Sequence, residues 1–416
     1  MRKIGVLICL ICLLTGALGA CFCESPAKEP ETMNEAWYDE MLDKAVLNRG
    51  NNTRIKNVVE RAKNGEDITI AVIGGSITEG AGAAQYKDCW ACKVLEGFRA
   101  HYGVGDGKNI KLVNAGVGGT ASTFGWMRWD RDILQRVKDT DGLPDLVIVE
   151  YAVNDGTEPT KHRCYESMVR TILEQPNAPA VILLFSVFPT GYTMQRELAP
   201  IGYAYRLMMI SMADSAFQYL GDKWTQKEYY FDQFHPTSLG HGVMADCILH
   251  GIETAVEAET DATDLVLPEK AVAGINFMGL KSIFRDSVDE SLQLVTGSFD
   301  GNDPGAYRNQ PVGLVCGKNF YHDGMHGNEP LAFKASFREL LLAIRTTPDK
   351  TSGKVEIKID GEHVLNVNPH TNGSWGQSDV FWVYHGSECA EHTVEILMAE
   401  GEEAKKCTVT GIAYAP

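Results

Sequence analysis

Basic residues are scarce: 38 Lys and Arg stand against 55 Asp and Glu in 416 residues, a formal charge of −17. So acidic a chain repels phosphate backbones, which argues against nucleic acid as a partner and fits a neutral substrate better than a polyanionic one. Long apolar runs are missing after the first twenty residues. With 44% apolar and 22% charged residues, that excludes both a polytopic membrane protein and a disordered chain. No segment of 20–50 residues repeats. A metal-ligand pattern is also lacking. Cys89 and Cys92 form a CxxC, but no second CxxC or His pair stands nearby, so packed thiols are expected there and no metal or cofactor is expected.

The amino terminus reads as an export signal. Arg2 and Lys3 precede the apolar stretch Ile4–Ala20, and polar sequence follows at once, which argues against a spanning helix. Leu18-Gly19-Ala20-Cys21 resembles a bacterial lipobox, which implies cleavage at residue 20 and lipidation of Cys21. The alternative is an ordinary cleaved signal with an incidental cysteine. The expected location is outside the cytoplasm, with any membrane contact made through that anchor alone. Residues 21–35, with Pro26 and Pro30, read as a polar tether.

From residue 36 to 258 short apolar strands alternate with helices. Strands are expected at 68–73, 110–113, 146–149 and 181–185. Helices are expected near 35–48, 52–64, 86–100, 124–138, 163–175, 203–217 and 238–257. Near-continuous apolar strands between helices predict a three-layer α/β/α domain with a parallel, flavodoxin-like sheet. Residues 259–263 are polar and read as a linker. Beyond them strands shorten and turns multiply: 354–359 and 363–367 flank Asp360-Gly361, and 392–397 and 407–415 read as further strands. An all-β sandwich is expected over 264–416.

Four blocks follow the α/β strands. Ser76 stands in Gly74-Gly75-Ser76-Ile77-Thr78-Glu79-Gly80, directly after the first strand, where an open α/β sheet exposes its active site. Such a serine can be a nucleophile, or the start of a capping box closed by Glu79. The glycines of Gly80–Gln85 fail the dinucleotide pattern. Asn114–Thr120 holds Gly116, Gly118 and Gly119, where backbone N–H groups can approach a ligand. Asn154-Asp155 ends the third strand; its carboxamide can donate to an oxyanion or form an Asx turn. Asp232-Gln233-Phe234-His235-Pro236 sets a carboxylate three residues before an imidazole that it can orient. His241 reads as helix packing or as a support behind the site, with a direct role the lesser alternative.

Together, over about 68–241, these blocks resemble the SGNH hydrolase, or GDSL-type esterase, family. Gly75 departs from the common pattern, which has Asp there. The resemblance implies that Ser76 attacks an ester carbonyl, His235 carries its proton and Asp232 orients His235. It further implies an oxyanion hole of the Ser76 N–H, the Gly119 N–H and the Asn154 side chain, with Gly118 the alternative in the middle place. It implies no metal. The substrate expected is an acetylated polysaccharide, because the chain reads as exported and its β-rich part loosely resembles the jelly-roll modules of carbohydrate esterases. A lipase or lysophospholipase, or a non-catalytic glycan-binding surface lipoprotein, are the alternatives; an acetyltransferase acting through the same acyl-enzyme is a third. No protein partner is inferred. Trp375, Trp382 and Tyr384 can stack on sugar rings, or fill the sandwich core or stand as ordinary surface aromatics, and Trp126, Trp129 and Asp130 can line the pocket or pack helices.

Overall fold

Apolar runs of three to seven residues become the strands of a six-stranded sheet: β1 (Val46–Asn48), β2 (Ile68–Gly74), β3 (Ile110–Gly116), β4 (Leu146–Glu150), β5 (Ala180–Phe185) and β6 (Met208–Ser211). The computed structural model describes residues 36–137, 142–289, 291–306, 308–310 and 313–416. The signal segment, Cys21 and the 21–35 tether lie outside the described residues. The helices are α1 (Ala36–Ala45), α2 (Thr53–Lys63), α3 (Ser76–Glu79), α4 (Trp90–Tyr102), α5 (Ser122–Met127), α6 (Trp129–Asp132), α7 (Arg163–Leu173), α8 (Gln195–Ala204), α9 (Gln226–Tyr229) and α10 (Ser238–Glu257).

Strand order is β1-β6-β5-β4-β2-β3, with β2 to β6 parallel and β1 antiparallel at the edge. Order reverses at β2, which lies between β3 and β4. A crevice therefore opens at the carboxyl ends of β2 and its neighbours, the place where open α/β sheets bind ligands. β2 and β5 are buried on both faces, as a doubly covered sheet requires. On one face Ala71, Ile73, Val147, Val149, Val181 and Leu183 join a core with α5 and α7. On the other α2, α4 and α10 pack together.

Three expected helices differ. The one expected over 35–48 ends at Ala45, and Val46–Asn48 pairs with β6 as the edge strand β1. Over 124–138 the chain makes α5, α6 and a 3₁₀ turn at Leu134–Arg136. Over 203–217 the helix instead lies earlier, as α8, and Met208–Ser211 is the fifth parallel strand. Three apolar residues, two of them methionines, and a serine carry no strand periodicity, so only their pairing in the sheet identifies them.

The carboxyl-terminal strands are β7 (Lys281–Ile283), β8 (Arg308–Gln310), β9 (Gly313–Val315), β10 (Phe320–His322), β11 (Leu331–Arg345), β12 (Val355–Ile359), β13 (Glu362–Val367), β14 (Ser378–Met398) and β15 (Cys407–Ala415). All pair antiparallel, and β8 and β9 form a separate ribbon. β11 and β14 pair along their whole lengths, with register shifts between Phe337 and Glu339 and between Leu340 and Leu341. One half of this ribbon pairs with β12 and the other with β15, so the sheet turns over onto itself at the bulges. Phe333 and Phe337 of one half meet Tyr414 of β15 at 6.2 and 6.1 Å between ring centroids, closing the sandwich core.

The outer face of that sandwich is itself apolar. Leu341, Ala343, Ala413 and Ala415 join the same buried cluster as Phe124, Trp126 and Tyr165 of the α/β domain. Trp126 Nε1 donates to the Phe277 carbonyl at 2.9 Å, and Trp382 packs edge-on to Phe277 at 5.7 Å. The 259–263 segment is tied down as well: Asn52 and Asp261 exchange backbone-to-side-chain bonds of 2.9 Å. Residues 40–416 form one contiguous unit.

Candidate active site

β2, β3 and β4 end level, because Gly74 is paired with both Gly116 and Glu150. The turns that follow therefore converge, carrying Ser76, Gly118-Gly119 and Asn154 to one place. Two glycines allow the tight approach: a Cβ on Gly74 would overlap the Thr78 hydroxyl, and one on Gly116 would overlap the Glu79 backbone.

Ser76 Oγ lies 2.9 Å from His235 Nε2, and His235 Nδ1 lies 2.9 Å from Asp232 Oδ2. Local folding sets the second contact. Asp232 Oδ1 accepts the Phe234 and His235 N–H groups at 2.7 and 2.8 Å, an Asx turn that curls the carboxylate beneath the ring. Behind it the Phe231 N–H donates to the His235 carbonyl, and the Thr237 side chain caps α10. Partial burial disfavours charge on Asp232, but the His235 ring and these two N–H groups outweigh it and hold the carboxyl below its ordinary value. Asp232 is thus an ionised acceptor that fixes the imidazole with Nε2 facing Ser76. His241 lies fully buried behind the loop; burial lowers it to about 4 despite the Ala81 carbonyl. Its Nε2 sits 3.0 Å from that carbonyl and its Nδ1 accepts from the Trp90 N–H at 3.3 Å, so it holds the loop as a neutral ring.

The Ser76 hydroxyl faces a cavity of about 420 Å³ lined by Ser76, Glu79, Ala81, Gly118, Gly119, Asn154, Phe188, Phe234, His235 and Trp375. The structure thus brings together all five residues expected at the site: Ser76, Gly119, Asn154, Asp232 and His235. Asp232 stands behind the ring. The capping-box reading of Ser76 does not hold, since Gly75 occupies the cap position, Ser76 is the first residue of α3, and the Glu79 N–H donates to the Gly75 carbonyl. Glu79 Oε2 accepts the Gly118 N–H at 2.7 Å. This occupies the Gly118 donor. Gly119, at φ +69°, packs its α-carbon against the Trp375 indole, where any Cβ would overlap the ring. Asn154 turns Oδ1 toward Gly75, and a Cβ on Gly75 would overlap that oxygen. The glycine that departs from the common pattern is the space the carboxamide uses.

Beneath the turn lies Glu150, fully buried. Its carboxyl accepts Thr78 Oγ1 at 2.9 Å, Ser186 Oγ and the Gly75 N–H. Burial pushes it up and these donors oppose the shift. A charged residue ending the apolar run Leu146–Val149 is the signal that marks it in sequence. Asp155, also fully buried, is raised to about 8 by burial, with the Ser122 N–H opposing at 2.8 Å.

The aromatic candidates divide. Trp375, half exposed, lines the cavity. Trp382 donates Nε1 to Glu339 at 2.8 Å in the seam between domains, and Tyr384 packs edge-on to Phe337 in the sandwich core. Trp126, Trp129 and Asp130 do not line the catalytic cavity; the two tryptophans are buried and all three border a separate cavity at the seam. Cys89 and Cys92, at the start of α4, are free thiols.

Residues 72–243 match the GDSL-like lipase/acylhydrolase family model. Among solved structures, a two-domain esterase active on acetylated mannans, co-crystallised with mannopentaose, superposes at a TM-score of 0.73. It is 23% identical and covers 90% of this chain and 98% of its own. A second crystal structure described as a two-domain esterase active on acetylated mannans superposes at 0.70, with 23% identity, 90% of this chain and 99% of its own. Comparison with curated proteins finds no match.

Proposed function

Taking as premise that the α/β domain belongs to the GDSL-like lipase/acylhydrolase family, a family of ester hydrolases, we propose that this protein removes O-acetyl groups from a polysaccharide. The observation that carries the reading is the relay of 2.9 Å contacts from Ser76 through His235 to Asp232, opening on a cavity walled by Phe188, Phe234 and Trp375. Ser76 Oγ attacks the acetyl carbonyl as His235 Nε2 takes its proton. Asp232 stabilises the imidazolium that forms. The negative oxygen of the tetrahedral intermediate is met by the N–H of Ser76, the N–H of Gly119 and the Asn154 amide. The Gly119 assignment is supported by the engagement of Gly118 with Glu79. Collapse expels the sugar hydroxyl, protonated by His235. Water then attacks the acetyl-Ser76 ester by the same route and releases acetate.

The lining supports a short acyl group. Among the described residues of the cavity there is no Leu, Ile, Val or Met; its apolar surface is Ala81, Phe188, Phe234 and Trp375. A long acyl chain would find no aliphatic channel, while an acetyl methyl and a sugar ring fit aromatic walls. Trp375 comes from the β domain, which supports a substrate large enough to touch both domains. The two similar two-domain structures, active on acetylated mannans, support the same class. Acyl-length preference separates this from a lipase: 4-nitrophenyl acetate should be cleaved with kcat/KM at least tenfold above the octanoate. Preference for octanoate overturns the acetyl reading. Anchoring outside the cytoplasm at Cys21 remains a proposal from the lipobox-like sequence, and absence of fatty-acid labelling on the intact chain would remove it.

A further inference from the structure

Trp375 lines two cavities. One is the catalytic pocket; the other is a depression of about 350 Å³ on the β domain, bordered also by Asp303, Tyr321, Arg345, Asp349 and Lys406. The two cavities meet at one indole. Its carrying segment is held by polar bonds: Ser374 Oγ donates to the Thr346 carbonyl at 2.8 Å, Thr346 Oγ1 donates to Asp379 at 2.6 Å, and the Trp375 N–H donates to Gln377 Oε1 at 3.1 Å. These bonds fix the backbone that carries the ring, and the indole lies against Gly119.

The second cavity differs in chemistry from the first. Two carboxylates face two cations, so its charge is balanced, and among the described lining residues there is no Leu, Ile, Val or Met. Asp303 Oδ2 accepts Arg345 Nη1 at 2.9 Å and Thr408 Oγ1 at 2.8 Å. Arg345 Nε is buried and has no hydrogen-bond partner among the described residues. Hydroxyls that both donate and accept suit a mixture of carboxylate, guanidinium, ammonium and phenol, and an aromatic edge suits the apolar face of a pyranose. A phosphate or polyuronate would meet the two carboxylates; an acyl chain would meet polar walls.

We infer that this cavity is a glycan subsite that binds neutral sugar units of the same polysaccharide chain whose acetylated unit occupies the catalytic pocket. The inference rests on the acetylesterase reading for what sits at Ser76, but the binding is testable without catalysis. Asp349 and Lys406 are exposed, and Asp349→Ala with Lys406→Ala removes one charge of each sign; Tyr321→Ala is the independent variant. Each is placed in a Ser76→Ala background and run through gels containing deacetylated glucomannan or xylan. In the active background, acetate release from the acetylated polymers is compared with 4-nitrophenyl acetate hydrolysis. At least one glycan should retard the Ser76→Ala protein, with affinity falling about tenfold in the variants. Their KM for the acetylated polymer should rise about as much, with 4-nitrophenyl acetate turnover within twofold. No retardation by either glycan, or retardation unchanged in the variants, overturns the subsite. Retardation that depends on these residues in a protein that cleaves no ester upholds the subsite and overturns the esterase reading.

Discussion

At the scale of single residues, buried carboxyls surround the Ser76 turn without joining the Ser76–His235–Asp232 relay. Asp155 is the sharpest case, because burial raises it from an ordinary 3.8 to about 8. A raised pKa means that the folded protein keeps a proton the unfolded chain gives up. The stabilisation is full below about pH 4 and is lost as pH rises through 8. Asp155→Asn keeps an acceptor for the Ser122 N–H and removes the titration. Urea unfolding of both proteins at pH 5 and pH 8 should show the variant gaining several kcal/mol on the wild type across that interval. A difference independent of pH would contradict the assignment. The relay was legible in sequence because its Asp–His half is local: three residues and an Asx turn suffice. The Glu79–Gly118 bond, by contrast, joins residues 39 apart and depends on α3 packing against the end of β3. The resemblance placed Gly119 in the oxyanion hole with Gly118 as the alternative, and the Glu79 carboxylate is found on the Gly118 N–H. Trp375 had a sugar-stacking reading and a favoured reading as core or ordinary surface aromatic; its exposed placement beside Gly119 removes the core.

At the scale of elements, the site depends on three strands ending in register and on small residues just beyond them. Gly75 is the position where this can be tested. A methyl group there would press on Asn154 Oδ1 and displace the carboxamide, while Ser76, His235 and Asp232 keep their own contacts. Gly75→Ala should therefore lower kcat for 4-nitrophenyl acetate by about 10²-fold, as loss of one oxyanion donor does. KM and the thermal midpoint should change little. Unaltered kcat would show that Asn154 does not act on the oxyanion. The α/β alternation was readable because buried parallel strands are short apolar runs between helices. β6 and β11 were not. β6 has four residues, too few to show a period, and β11 is buried on both sides through Leu340–Ile344; the alternation of Leu331, Phe333 and Phe337 with Lys334, Ser336 and Arg338 marks only its first half. The bulges that fold β11 and β14 over are set by cross-strand register, which the chain does not display locally.

At the scale of the whole molecule, the change in character near residue 258 was legible, but the sharing of one core by the two domains was not. Trp126 exemplifies it: a tryptophan beside the second block serves equally for a pocket or for packing, and the structure buries it in the seam, bonded to Phe277. Trp126→Ala should cost about 3–5 kcal/mol of stability and leave 4-nitrophenyl acetate turnover at low temperature nearly unchanged, read by urea unfolding beside initial rates. A large loss of kcat without loss of stability would return Trp126 to the catalytic pocket. The seam also brings Trp375 to Gly119, which is how the proposed sugar chain on the β domain would reach Ser76. The most direct test of this account is acetate release from acetylated glucomannan and acetylated xylan by the wild type beside Ser76→Ala. The account requires release from at least one polysaccharide, reduced by about 10⁴–10⁶-fold in the variant. Folded wild type that hydrolyses 4-nitrophenyl acetate yet frees no acetate from either polymer, or a Ser76→Ala protein that still does so, would contradict it.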